Sequence, residues 1–155
     1  MKFLNKVKEK EPKYVRLLEI TEYINNEKTK NELRKQMKGI DIEKLKPIEF
    51  EEFIAALFEK MGYMANTTKG SGDFGCDIIA KNEGETVVIQ VKKYKKKVNL
   101  KAVQEVVGAK NHFSADRAIV ITTSDFLKSA KDLAKSNNVE LWNGNKLREA
   151  ILREL

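Results

Sequence analysis

Residues 70–94 read Gly-Ser-Gly-Asp-Phe-Gly-Cys-Asp-Ile-Ile-Ala-Lys-Asn-Glu-Gly-Glu-Thr-Val-Val-Ile-Gln-Val-Lys-Lys-Tyr. A glycine-rich loop, Gly70 to Gly75, delivers Asp77 to the start of a short apolar strand. The turn formers at Asn82 to Gly84 send the chain back along a second strand, Glu85 to Tyr94. Gln90 and Lys92 lie two residues apart on it. Strand side chains alternate with period two, so both point to one face, and Ile89 and Val91 point the other way, into a core. The hairpin therefore gathers a carboxylate, an amide and an ammonium, a set that could hold a divalent metal and a water beside a phosphate. Taken singly, Asp77 suits a turn or cap and Lys92 an exposed strand end. Gln90 interrupts Val87-Val88-Ile89 and Val91 in what should be a covered strand, where an unpaired amide costs free energy. The joint pattern outweighs any one member.

The flanking sequence supplies the rest of a domain. Upstream, Pro47 suits the first turn of a helix. Ile48, Phe50, Phe53, Ile54, Leu57, Phe58 and Met61 give that helix a strong apolar face, and Gly62 ends it. Tyr63 to Thr68 reads as a short strand. Downstream, Asn99 is placed to cap a helix from Leu100 to about Phe113, with Leu100, Val103, Val106, Val107 and Phe113 as its apolar face. Arg117 to Thr122 is a continuous apolar run, the mark of a buried strand. Ser124 or Asp125 is expected to cap the next helix, which runs through Ser136. Val139 to Trp142 is a last strand, and Asn143-Gly144 turns into a closing helix, Lys146 to Leu155. The order αβββαβαβα describes an α/β domain over residues 47–155, with a central mixed sheet flanked by helices.

Residues 1–46 read differently. A frayed, charged arm ends at Pro12. Helical spacing follows over Tyr14 to Ile24 and Thr29 to Lys38, and Ile40 to Lys46 is a connector. This N-terminal helical extension could pack on the main domain or make a dimer contact.

Composition bounds the partners. The chain has 155 residues and is 41% hydrophobic, enough for a core, and its formal charge of +7 favours an anionic partner. Cys76 is the single cysteine. No internal disulfide can form, which fits a reducing compartment. No apolar run approaches the roughly 18–20 residues of a membrane span, and the N-terminus lacks a signal core, so a cytoplasmic protein is expected. His112 is the only histidine and has no cysteine or aspartate at ligand spacing, which argues against zinc and against a serine triad. The Gly70 to Gly75 loop lacks the Gly-Lys-Ser/Thr ending of a P-loop and leads into a strand. Cys76, on the face opposite Asp77, and Trp142 read as core.

These segments, taken in order, resemble the Mrr-like restriction endonuclease catalytic domain of the PD-(D/E)xK nuclease superfamily, over about residues 47–155. Phe50-Glu51-Glu52-Phe53 to Gly62-Tyr63 resembles its first helix and glycine-aromatic step. Gly72-Asp73-Phe74-Gly75-Cys76-Asp77-Ile78 resembles its aspartate motif, and Gln90-Val91-Lys92-Lys93-Tyr94 its Gln-x-Lys motif. Val103 to Ala109 resembles the next helix and Ala118 to Thr123 the following strand. Leu141-Trp142-Asn143-Gly144 resembles the end, although the family often has an aspartate where Asn143 stands.

The resemblance implies a restriction-endonuclease-like αβββαβ core and Mg2+-dependent hydrolysis of DNA phosphodiester bonds, with Mn2+ able to substitute. Asp77 would bind Mg2+, Gln90 would replace a second carboxylate, and the Val91 carbonyl would complete the inner shell. Lys92 would orient the attacking water, and Glu51, with Glu52 as its neighbour, would reach the metal or its water shell. The products would carry 5′-phosphate and 3′-hydroxyl ends. The chemistry is coherent, since Mg2+ prefers oxygen ligands and keeps several waters. The basic run Lys92, Lys93, Lys95, Lys96, Lys97, with Lys101 beyond it, could grip the DNA backbone. Lys69 and Ser71 could touch DNA from the loop. Tyr94 could stack on a base or pack, with packing favoured, and Gln104 could approach the site from its helix. A Holliday junction resolvase-like nuclease, acting as a homodimer, and a DNA-binding module that no longer cuts stand as alternatives.

Overall fold

The computed structural model describes residues 42–68 and 74–154. Helix α1 (Pro47–Lys60) opens with proline in its first turn, and the Lys46 N–H donates to Glu49 Oε1 at 2.8 Å. Its Phe50, Phe53, Ile54, Leu57 and Phe58 are fully buried. The chain then runs through β1 (Met64–Thr67), β2 (Ile78–Lys81), β3 (Thr86–Lys92), α2 (Leu100–His112), β4 (Arg117–Thr122), α3 (Lys128–Ser136), β5 (Val139–Trp142) and α4 (Gly144–Glu154). This is the order expected from the sequence.

The five strands form one sheet in the order β1-β2-β3-β4-β5. The first three pair antiparallel and the last three parallel, so β3 is the strand at which the sheet changes character. The parallel half has helical crossovers, α2 and α3, and both pack on the face that carries Val88, Ala118 and Val120. Helices α1 and α4 cover the other face, against Val87, Ile89, Val91, Ile119 and Ile121. Covered on both sides, β3 and β4 are the near-continuous apolar runs seen in the sequence.

The helical segments expected before residue 42 lie outside the described residues. The described part of the expected connector is core rather than linker, because Ile42 and Leu45 are buried in the cluster that holds α1. The expected cap of α3 also needs correction. Phe126 makes an isolated parallel bridge with Val98, which delays the helix to Lys128, with Leu127 before it. Asp125 Oδ1 instead accepts from the Phe126 N–H at 2.8 Å and from Asn143 Nδ2 at 3.4 Å. Asn143 in turn caps α4, its Oδ1 accepting from the Lys146 N–H at 2.9 Å.

A polar clasp closes the edge of the sheet where β3, β4 and β5 begin. Arg117 at the head of β4 grips Glu140 of β5 with two bonds, at 2.7 and 2.8 Å. The Tyr63 hydroxyl accepts from Arg117 at 3.2 Å and donates to Glu85, just before β3. Burial and the Glu85 carboxylate push the Tyr63 hydroxyl above its ordinary pKa, and Glu140 raises that of Arg117. At the other edge the glycine-rich loop returns at Phe74 and Gly75, with φ of +52° and +90°. A Cβ on Gly75 would stand 2.1 Å from the Glu105 carbonyl oxygen, so Gly75 sits directly on α2.

Two stability measurements test this. Gly62, at φ +102°, would meet nothing within 4 Å if given a Cβ. Gly62→Ala should cost only dihedral strain, about 1–2 kcal/mol, whereas Gly75→Ala adds a main-chain collision and should cost about 2–4 kcal/mol. Equal losses in urea would refute the seating of Gly75 on α2. The Asp125 carboxyl is held below its ordinary value of 3.8 chiefly by the Phe126 N–H, helped by Asn143, Lys131 and Lys97 and opposed by burial. A lowered folded pKa gives stability that is present above the ordinary value and lost as pH falls through the folded one. Asp125→Asn should therefore lower the urea midpoint near neutral pH, with the deficit shrinking as pH falls below the ordinary carboxylate range; a deficit independent of pH would refute it.

Candidate active site

Strands β2 and β3 separate at Asp77. The Asp77 N–H donates to the Ile89 carbonyl at 2.8 Å, and the Asp77 carbonyl accepts from the Thr68 N–H at 2.8 Å. The next rung is made by a side chain, as the Val91 N–H donates to Asp77 Oδ2 at 2.8 Å. Cys76 has already left the ladder. Its carbonyl accepts from the Thr68 hydroxyl at 2.6 Å, and its side chain is buried on the α2 side. Asp77 is thus fixed at the mouth of the hairpin. In an extended strand the N–H and C=O of one residue point to the same side, so the Val91 carbonyl faces this mouth too.

Gln90 and Lys92 point toward α2, as the alternation requires. Gln90 is only 5% exposed, and its Nε2 donates to Glu105 Oε2 at 2.6 Å. Lys92 Nζ lies 3.6 Å from the same oxygen. Gln90 Oε1 is buried and has no hydrogen-bond partner among the described residues. Leaving such a group unpaired costs about 1–3 kcal/mol.

Glu105 is the residue that the sequence reading passes over. Gln104, which could approach the site from the same helix, is exposed. Residue 105 lies three positions after Ala102 and four before Ala109, both buried, so helical spacing places it at the inward face. Glu51 and its neighbour Glu52 are half-buried on α1, in the layer that covers the Val91 face of β3. Glu51 thus stands on the other side of the strand from Glu105.

The basic run is anchored. The Lys96 carbonyl accepts from the Ser124 hydroxyl at 2.8 Å, the Val98 N–H donates to the Asp125 carbonyl at 2.8 Å, and the Leu127 N–H donates to the Val98 carbonyl at 2.9 Å. Lys95, Lys96, Lys97 and Lys101 are exposed on this strap and the helix that follows. Lys93 turns elsewhere, its ammonium donating to the Glu43 carbonyl at 2.7 Å. Tyr94, whose sequence context favours packing, is 41% exposed, with Lys92 Nζ 6.0 Å from its ring centroid. Lys69 and Ser71 lie outside the described residues. His112 ends α2 with its ring stacked on Phe74, the centroids 3.7 Å apart.

The residues at the hairpin mouth suit a hard divalent cation. Asp77 offers a carboxylate and Val91 a main-chain carbonyl, and Gln90 of the same strand offers an amide oxygen that is buried and without a partner among the described residues. Among the described residues no group of three or more His, Cys, Asp or Glu is placed to hold a metal. Mg2+ needs only one or two carboxylates, because it keeps several of its own waters.

Several solved structures share the fold. The DNA modification-dependent restriction endonuclease AspBHI is 16% identical with a TM-score of 0.55, the match covering 93% of this chain and 35% of that one. The MspJI restriction endonuclease, in complex with a 27-mer oligonucleotide, is 20% identical with a TM-score of 0.51, covering 81% and 31%. AF1548, a protein of unknown function, is 20% identical with a TM-score of 0.51, covering 60% and 55%. The chain therefore spans about a third of the two restriction enzymes and about half of AF1548. At these identities the likeness is one of fold. No curated protein matches the sequence. A restriction endonuclease family model (Mrr_cat) matches residues 42–151, starting at the buried Ile42 and taking in every strand among the described residues. On that match the chain belongs to the restriction endonuclease family.

Proposed function

We propose that this chain is a Mg2+-dependent DNA endonuclease of the Mrr type, with its site at the mouth of the β2-β3 hairpin. The observation that carries the reading is the orphaned Gln90 Oε1 in a covered strand, beside a carboxylate held in the ladder of the same strand. Asp77, Gln90 Oε1 and the Val91 carbonyl would hold the metal, and Glu51 would act from the α1 side through its water shell. Bound there, Mg2+ neutralises phosphate charge and lowers the pKa of a coordinated water. Lys92 orients the attacking water and offsets the charge that grows on the phosphoryl oxygens. The water oxygen bonds to phosphorus and the bond to the 3′ oxygen breaks, leaving 5′-phosphate and 3′-hydroxyl ends.

The anchored strap supports DNA as the partner. Lys95, Lys96 and Lys97 are presented on fixed main chain, so gripping phosphates orders little more than their side chains. Tyr94 and Lys101 extend the same surface, and Lys69 and Ser71, outside the described residues, are proposed as DNA contacts from the sequence alone. Lys93 contributes first by tying β3 to the segment before α1. A cytoplasmic setting is part of this reading, since a single cysteine can form no internal disulfide. No helix among the described residues is long and apolar enough to cross a membrane.

Purified protein should nick or cut DNA with Mg2+ or Mn2+ and fail in EDTA. Asp77→Ala and Lys92→Ala should each lower the rate at least about 100-fold. Asp77→Ala should leave DNA binding in EDTA intact or improved, because it removes a charge that repels phosphate. Undiminished cleavage by both variants would sink the site assignment. Replacing Lys95, Lys96 and Lys97 together by alanine should weaken binding evenly across sequences. The slope of log affinity against log salt should fall by roughly 0.9 for each phosphate that the strap no longer neutralises. An unchanged slope would remove the strap from the interface.

A further inference from the structure

We propose that Glu105 is a positioning residue that fixes the Gln90 amide and so makes it an oxygen donor to the metal; this rests on the reading of the hairpin mouth as a divalent-metal site. A glutamine amide has two unlike ends of nearly the same shape, an oxygen that attracts a cation and an NH2 group that repels one. Nothing in Gln90 itself decides which end faces the mouth. A carboxylate accepts hydrogen bonds and donates none, so Glu105 can pair only with the NH2 end. Its 2.6 Å bond to Nε2 is charge-assisted and holds that end toward α2. Oε1 is left buried and without a partner among the described residues. Rotating the amide by half a turn would set two acceptor oxygens against each other.

Two further interactions serve the same arrangement. Lys92 Nζ, 3.6 Å from the same Glu105 oxygen, is held on the Gln90 side of β3. Gly75 rests on the main chain of Glu105, where a Cβ on it would lie 2.1 Å from the carbonyl oxygen. The helix position that sets the amide is thus tied to the loop that delivers Asp77. An acidic residue at position 90 would have needed no such partner. With glutamine there, the negative charge sits one hydrogen bond further out and acts through the amide.

The test is a double-mutant cycle on the full chain, read by calorimetric titration with Mn2+ alone and by thermal unfolding. Glu105→Gln keeps the shape and the acceptor but adds a donor, so either end of Gln90 can pair with it. It should weaken Mn2+ binding roughly 10-fold, the usual effect of losing a residue that orients a ligand. In a Gln90→Ala background the same change should do almost nothing, because there is no amide left to orient. Exchanging the pair, Gln90→Glu with Glu105→Gln, should restore binding to wild-type strength or better. That variant decides the matter if Glu105→Gln alone lowers the melting temperature. Unchanged affinity in Glu105→Gln, or an equal loss with and without Gln90, would overturn the proposal; the second outcome would make Glu105 a ligand in its own right. Mn2+ binding that vanishes in Asp77→Ala but ignores Glu105→Gln overturns this inference and leaves the metal site standing. No Mn2+ binding by the wild type overturns both.

Discussion

The carboxylate of Asp77 occupies a rung of the β2-β3 ladder, and the site depends on that substitution. With a main-chain carbonyl in its place the hairpin would continue, and the Val91 amide would pair as in any sheet. Because Oδ2 accepts that hydrogen bond instead, the strands can part without orphaning the N–H. The opening lies at the C-terminal end of β3, on the edge of the sheet where open α/β folds place their ligand sites. One hydrogen bond thus ends the hairpin, fixes an acidic group and turns a main-chain carbonyl toward it.

The second constraint is that β3 is covered on both faces. A polar side chain at position 90 is costly unless paired, and Gln90 has its nitrogen satisfied by Glu105 and its oxygen without a partner among the described residues. The partner comes from α2, which also carries the seat of Gly75. Three stretches far apart in sequence (the loop, β3 and α2) therefore meet through Gly75, Asp77, Gln90 and Glu105. The clasp of Arg117, Glu85, Tyr63 and Glu140 does comparable work at the opposite edge. It fixes the start of β3 and β4 with groups that partly face water, while the other end of β3 carries the orphaned amide oxygen. Rigidity at one end of a strand lets the other end keep a group that is poorly satisfied.

The lysine strap joins the two crossovers. Between β3 and α2 the chain runs beside the loop between β4 and α3, bound to it through Val98, Ser124, Asp125 and Leu127. Bonds that use main-chain atoms of the strap leave its side chains outside. A run of lysines that would read as flexible from composition is held as a ledge beside the proposed site, and Asp125 beneath it is partly balanced by Lys97 and Lys131.

The sequence by itself determined the elements and their order. Alternation placed Gln90 and Lys92 on one face of β3, the apolar run Arg117 to Thr122 marked a buried strand, and Asn82 to Gly84 marked the turn, because these are local signals with fixed periods. The same local logic placed Asp77 where the hairpin begins, and the resemblance to the family rests on these same segments. It erred where a distant segment competes with a local preference. Asp125 is a good helix cap by type, but the bridge between Val98 and Phe126 delays the helix. Ile42 and Leu45 look like linker until the core they fill exists. Tyr94 looks like packing until the strap turns it outward. Glu105 lay on the inward face of its helix by spacing alone. Yet only the packing of α2 on β3, with Gly75 between the loop and the helix, could show that its carboxylate meets an amide fifteen residues away. Periodicity says which face a residue takes, and what that face meets is fixed by contacts between elements that the sequence does not order.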